Sequence, residues 1–279
     1  MGIVIGIDVG GSITKIVGLL DDKIIGFLKV KATDAITSTF GGFGKFITDN
    51  KINIKDIKEI LITGVGSTYI KDKIYDIPTY MVDEFTAIGY GGLMLSSLSK
   101  AIIVSMGTGT AFISASEDKI EHIGGTGVGG GTLLGLSRLM LNMDDFNHII
   151  ELANDGDLNK IDLSVNDITK SAVSNLSPET TASNFGKISD LAEKSDIALG
   201  IINLIFQSIG MLSVFACKSS VINDVVLTGN LTQITQAKTI FDTLNKIYKI
   251  NFIIPKNAEF STALGAAIIS NKNIKKVKL

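Results

Sequence analysis

The feature that most restricts the fold is a pattern that occurs twice. Residues 3–8 form an apolar, β-branched run that ends in Asp8 and meets Gly10-Gly11. Residues 101–106 (AIIVSM) form another, and it meets Gly107-Thr108-Gly109-Thr110. β-Branched residues suit a buried strand. Glycines after it permit a tight turn that a ligand can approach closely. Each run opens a similar series. The first predicts strands at 2–8, 13–20 and 23–31, a helix at 36–48, strands at 59–63 and 78–82, and a helix from the N-cap Asp83 to about 99. The second predicts strands at 101–106, 110–116 and 119–123, a helix at 132–141 and a polar helical section at 144–187. A long apolar helix at 192–219, a strand at 224–228, and then a helix, a strand (251–254) and a last helix (260–269) follow. Each half reads strand–strand–strand–helix–strand–helix–strand–helix. Such a duplication predicts two α/β domains, 1–100 and 101–279, the second with a helical insertion at about 144–190, around a central cleft.

Composition narrows the class. Of 279 residues, 45% are hydrophobic and 19% charged, which supplies a large core and argues against disorder. Net charge is −2, and basic residues crowd only the tail 272–278, so nucleic acid is not an expected partner. The single Cys217 excludes an intrachain disulfide or a multi-cysteine metal site, and its apolar helical setting reads as a core thiol. The N-terminus lacks a secretory pattern, and no uninterrupted apolar run reaches the roughly 18–20 residues of a membrane span. The expectation is a cytoplasmic protein without a membrane partner.

The glycine-rich turns carry the candidate chemistry. Asp8 at a strand end suits a hydrated Mg²⁺, Gly10-Gly11 a phosphate nest and Lys15 a phosphate oxygen. A β-hairpin with an exposed lysine would read the same way in isolation. Gly129, Gly130 and Gly131 precede a helix, whose N-terminus suits an anion such as a phosphate. Thr108, next to Gly109, offers a hydroxyl to substrate or phosphate, or serves as an ordinary turn residue. Asn230 after Gly229 is likewise a good turn residue.

GIDVGGSITK on the first hairpin of a duplicated unit resembles the actin-like ATPase superfamily, whose fold is a duplicated ribonuclease H-like α/β unit. The closer resemblance is to type II pantothenate kinases. Asp8, Gly10, Gly11 and Lys15 match their first phosphate motif. Asp83-Glu84 with Ala87 and Gly89 is similar to the catalytic segment, and Gly107–Thr110 with Gly124–Gly131 to the second phosphate region. Ser183-Asn184-Phe185-Gly186 and Phe260-x-x-Ala263-x-Gly265-Ala266 resemble further segments.

The resemblance implies an ATP- and Mg²⁺-dependent kinase acting on the hydroxyl of pantothenate, the first step of coenzyme A biosynthesis, working as a homodimer. It implies Glu84 as general base and Gly229-Asn230 as an adenosine contact. A first-turn Glu also complements a helix dipole, which is the plainer use of Glu84. One position departs. Where the family has an arginine for the pantothenate carboxylate, this chain has His122, and Arg138 on the following helix is a candidate replacement. The alternatives are a kinase of the same fold acting on a pantetheine-like molecule or an amino sugar, or an ATPase activator or regulator. Activators of 2-hydroxyacyl-CoA dehydratases hold an iron–sulfur cluster through cysteines, and Cys217 alone within a helix does not suit that.

Overall fold

A computed structural model describes residues 2–169 and 178–279. The first half runs β1 (Ile3–Val9), β2 (Ile13–Leu20), β3 (Lys23–Lys31), α1 (Ala35–Asp49), β4 (Ile57–Thr63), β5 (Thr79–Met81) and α2 (Glu84–Ser96). The second opens with β6 (Lys100–Met106), β7 (Thr110–Ser116), β8 (Ile120–Thr126), α3 (Gly130–Leu141) and α4 (Phe146–Ala153). It continues through β9 (Leu163–Ser164), α5 (Val165–Ile168), β10 (Thr181–Ser183) and α6 (Lys194–Ser220). β11 (Asp224–Thr228), α7 (Gln236–Tyr248), β12 (Asn251–Ile253), α8 (Ser261–Ile268) and β13 (Val277–Lys278) complete it.

Two large sheets, ordered β13-β5-β4-β1-β2-β3 and β12-β11-β6-β7-β8, form alongside a two-stranded β10-β9 pair among the described residues. In each large sheet, an antiparallel meander is flanked by strands parallel to its first member: β4 beside β1, β11 beside β6. β1 is buried along its whole length. Ile5 and Ile7 pack with Phe43 and Phe46 of α1, while Val4 packs with Ala263 and Ala266 of α8. Cover on both faces explains why β1 is a continuous apolar run rather than an alternating one.

The duplication is less regular than the sequence pattern. Between β4 and β5 the expected helix is only a 3₁₀ turn, Val65–Tyr69. The section expected to be helical from 144 to 187 has α4 and α5 among its described residues, but β9 and β10 pair with each other, and 170–177 lie outside the described residues. The buried Asp162 carboxylate organises this region. It accepts from the side chains of Asn203 on α6 (2.6 Å) and Asn184 (3.1 Å), and from the Phe185 N–H (2.9 Å). A buried carboxylate is retained when such donors surround it. The Ser183–Gly186 segment thereby anchors a loop to α6. That helix is long and apolar enough to cross a membrane by length and composition, yet Ile201, Ile202, Ile205, Phe206 and Ile209 lie within the second core.

The two halves exchange helices at their seam. α8 packs on β1, β2 and β4 of the first sheet, whereas α2 packs on β6, β7, β8 and β11 of the second. The two helices also pack on each other, backbone against backbone. A Cβ at Gly265 would lie 1.7 Å from the Ala87 carbonyl oxygen, and one at Gly91 would lie 1.9 Å from that of Ser261. Gly265→Ala is therefore expected to destabilise the protein by about 1–3 kcal/mol, the usual range for forced overpacking. A lowered urea midpoint checks this; an unchanged midpoint would mean that the seam relaxes freely.

Candidate active site

A cleft of about 590 Å³ opens where the ends of β1 and β6 approach α2. Asp8 and Lys15 sit directly opposite each other in the β1–β2 ladder, so their side chains share a face. Lys15 Nζ lies 3.7 Å from Asp8 Oδ2, and both residues are buried, at 7% and 6% exposure. Burial pushes the Asp8 carboxyl up and Lys15 opposes the shift. Gly64, at the end of β4, closes over the same carboxylate with φ +87°; a Cβ there would fall 2.6 Å from Asp8 Oδ1. Gly11 has the opposite setting. A Cβ there would meet nothing within 4 Å, so the open space in front of the turn is left for a ligand.

The second half repeats the arrangement. Gly229 ends β11 with φ +90°, and a Cβ on it would lie 2.4 Å from the Met106 carbonyl oxygen. Asn230 follows it and lines the cleft; its Oδ1 is buried without a hydrogen-bond partner among the described residues. Gly107, Thr108 and Gly109 line the same wall.

Glu84 faces this cavity from the first turn of α2. Asp83 is the cap: its Oδ1 accepts from the Thr86 N–H (2.8 Å) and the Thr86 hydroxyl (2.7 Å). Burial first, then the charges of Asp8 and Asp83, push the Glu84 carboxyl up to about 7, with Lys15 opposing. A helix N-terminus favours an ionised carboxylate. The net shift runs the other way, so the cleft and its acids outweigh the dipole. A carboxyl poised near neutrality beside a nucleotide-sized cavity is suited to accept a proton.

A sequence model of the family described as Fumble matches residues 4–257. The chain belongs to the Fumble family. A relative from Bacillus anthracis is 30% identical and one from Bacillus thuringiensis subsp. konkukian 29% identical, each alignment covering 95% of this chain and 96% of the relative. Both are named type II pantothenate kinase, as is a relative from Staphylococcus epidermidis, 28% identical over 94% of this chain and 98% of its own. Among solved structures, the activator of the 2-hydroxyisocaproyl-CoA dehydratase from Clostridium difficile, with bound ADPNP, superposes with a TM-score of 0.68 at 17% identity, covering 98% of this chain and 99% of that one. Component A of the Acidaminococcus fermentans (R)-2-hydroxyglutaryl-CoA dehydratase gives 0.65 at 17% identity, covering 96% and 97%. These likenesses establish the fold, the duplicated actin-like ATPase unit that the two hairpins predict.

Other expected site residues of this Fumble-family chain lie elsewhere or act differently. The N–H groups of Gly130 and Gly131 donate to the carbonyls of Gly107 (2.8 Å) and Thr108 (2.9 Å), and that of Gly129 to the Thr132 hydroxyl (3.1 Å). In this structure the Gly107–Thr108 loop takes up the N–H groups of Gly130 and Gly131 at the start of α3. Glycine is needed there for close approach: a Cβ at Gly129 would lie 2.6 Å from the Thr108 carbonyl oxygen. Arg138 is exposed and does not line the cleft. Eight residues at a rise of about 1.5 Å each carry it roughly 12 Å along α3 from Gly130. His122 does line the cleft, its ring stacked on Phe85 with centroids 3.9 Å apart and planes at 4°. Phe85 is not among the residues expected in the site; its sequence signal is the helical spacing with Gly89 and Gly92. His148 is exposed, and burial pushes the Cys217 thiol up to about 11, an inert core group.

The residues present fit ATP and Mg²⁺. The orphaned Asn230 oxygen suits a nucleoside donor, since buried polar atoms are normally paired. No group of three or more His, Cys, Asp or Glu side chains able to hold a metal occurs among the described residues. Asp8 supplies one carboxylate in the cleft. Mg²⁺ is commonly held through one or two carboxylates, waters and substrate phosphates, and that pattern needs no more from the chain.

Proposed function

We propose that this protein transfers the γ-phosphoryl group of ATP to the hydroxyl of pantothenate. The observation that carries the reading is Glu84, half-buried and raised to about 7, in one cleft with the Asp8–Lys15 pair. Glu84 accepts the hydroxyl proton as the substrate oxygen bonds to the γ-phosphorus. The bond from phosphorus to the β-phosphate bridging oxygen breaks, giving ADP and a phosphate monoester. Lys15 neutralises phosphate oxygens, and the Gly10–Gly11 turn seats them. Asp8 would hold Mg²⁺, which would supply charge neutralisation at the phosphates. Asn230 and Gly229 contact the adenosine. Thr108 and His122 line the acceptor side. On the same resemblance the enzyme works as a cytoplasmic homodimer; the exposed Leu212 and Phe215 on α6 offer apolar surface that such a contact would cover.

A coupled assay of ADP release tests the reading, with pantothenate, pantetheine, N-acetylglucosamine or no acceptor. Pantothenate-dependent turnover well above the acceptor-free rate is expected. Turnover only with the amino sugar, or no acceptor dependence, would overturn the substrate assignment.

A further inference from the structure

Glu84 belongs by sequence to the first half, but its helix rides on the second sheet. Three positions at helical spacing make that seat. A Cβ at Gly89 would lie 2.6 Å from Ile120 of β8, and one at Gly92 would lie 2.6 Å from Ile103 of β6, so both let α2 descend onto the sheet. Phe85 comes four residues before Gly89 on the same face and meets His122. Ile120 and His122 are two residues apart on β8 and share a face. A bulge follows at once: Ile113 opposes His122 while Phe112 opposes Gly124, which leaves Ile123 as the extra residue. Bulges next to active sites re-aim side chains or end a pairing. Here the bulge interrupts the ladder just after the histidine, and pairing resumes at Gly124. Asp8 and Lys15, by contrast, stand on the first sheet. The base and the phosphate anchor therefore sit on opposite lips of the cleft. The first turn of α2, which carries the base, has the Phe85–His122 stack as its aromatic contact with the second lip.

We propose that the Phe85–His122 stack is a positioning device for the reaction proposed above. It fixes the start of α2 on β8 and so sets where Glu84 meets the acceptor hydroxyl. The proposal rests on the kinase reading. A stacked aromatic pair has a preferred relative geometry and an attraction beyond the area it buries. A displacement of about 1 Å at a reacting group can cost on the order of 10²-fold in rate. Neither ring need touch the transferred proton.

The chain has only two histidines, and His148 is exposed, so imidazole NMR reads the stack directly. His122 ring protons should lie upfield of those of His148 and move back in Phe85→Leu. In steady-state kinetics Phe85→Leu and His122→Ala should each lower kcat by about tenfold or more, with the KM for ATP within about twofold of wild type. The double variant should be no worse than the weaker single variant, because partners in one contact are not additive. Phe85→Tyr, which keeps a ring on His122, should recover kcat to within about threefold of wild type. A kcat within about twofold of wild type in Phe85→Leu despite loss of the upfield shift would overturn the proposal. So would single-variant losses that multiply in the double variant. Should Phe85→Leu fail to fold, His122→Ala and Phe85→Tyr still decide, since His122 is exposed on β8 and its truncation opens no cavity in the core. Absence of pantothenate turnover in the wild type would count against the acceptor and not the stack. The same variants would then be compared on ATP hydrolysis, with water as the acceptor.

Discussion

Glu84→Gln is expected to lower kcat by about 10²- to 10⁴-fold, the usual worth of a general base, with little change in ATP affinity. In wild-type protein kcat/KM for pantothenate should rise with pH through about 7 and level off above it, because the ionised carboxylate is the working form. Stability should move in the opposite sense. A carboxyl with an ordinary value of 4.5 that is raised to about 7 on folding binds its proton more tightly in the native state. Its contribution is fully present below 4.5 and is lost as pH rises through about 7. The glutamine variant carries no such charge, so its unfolding midpoint should exceed that of wild type at pH 8 and approach it at pH 4. A variant with nearly normal kcat and lower stability at pH 8 would instead identify Glu84 as a helix-dipole residue.

Asp8→Asn should remove most turnover, by about 10²-fold or more, the scale seen when a charge-stabilising group is deleted from an active site. The loss should persist at saturating Mg²⁺; normal turnover under that condition would remove Asp8 from the metal site. Two further changes tie the effect to this geometry. Lys15 loses its buried partner, and an uncompensated buried charge is destabilising. Unfolding should stay cooperative with a lower midpoint that added ATP restores, because phosphate replaces the lost anion. The charge of Asp8 is also the second cause of the raised Glu84 carboxyl. The residual pH–rate profile of Asp8→Asn should therefore shift its acid limb to lower pH.

Much of the site was legible because its residues are close together in sequence. Asp8 and Lys15 are joined by a tight hairpin whose register puts them face to face. Asp83 and Glu84 begin a helix, where capping rules apply. Thr228-Gly229 echoes Thr63-Gly64, each glycine ending a strand in the left-handed region next to the first strand of its own sheet. The packing of Gly129–Gly131 was not legible. A glycine run before a helix looks the same whatever loop lies against it, and only the fold brings the Gly107 and Thr108 carbonyls to the Gly130 and Gly131 amides. Asp162 was equally hidden, since its partners lie up to 41 residues away on α6.

By itself the sequence determined the two strand meanders, the long core helix, the glycine turns and the family. These follow from period, β-branching and the backbone freedom of glycine, all properties of short segments. Only the tertiary structure decided that α2 serves the second sheet and α8 the first, that Arg138 stands away from the cleft, and that Phe85 meets His122. Periodicity records which face of an element is buried, but not which element covers it. The elevation of Glu84 to about 7 comes from burial and from Asp8, 76 positions earlier in the chain, so it exists only once the two lips of the cleft are brought together.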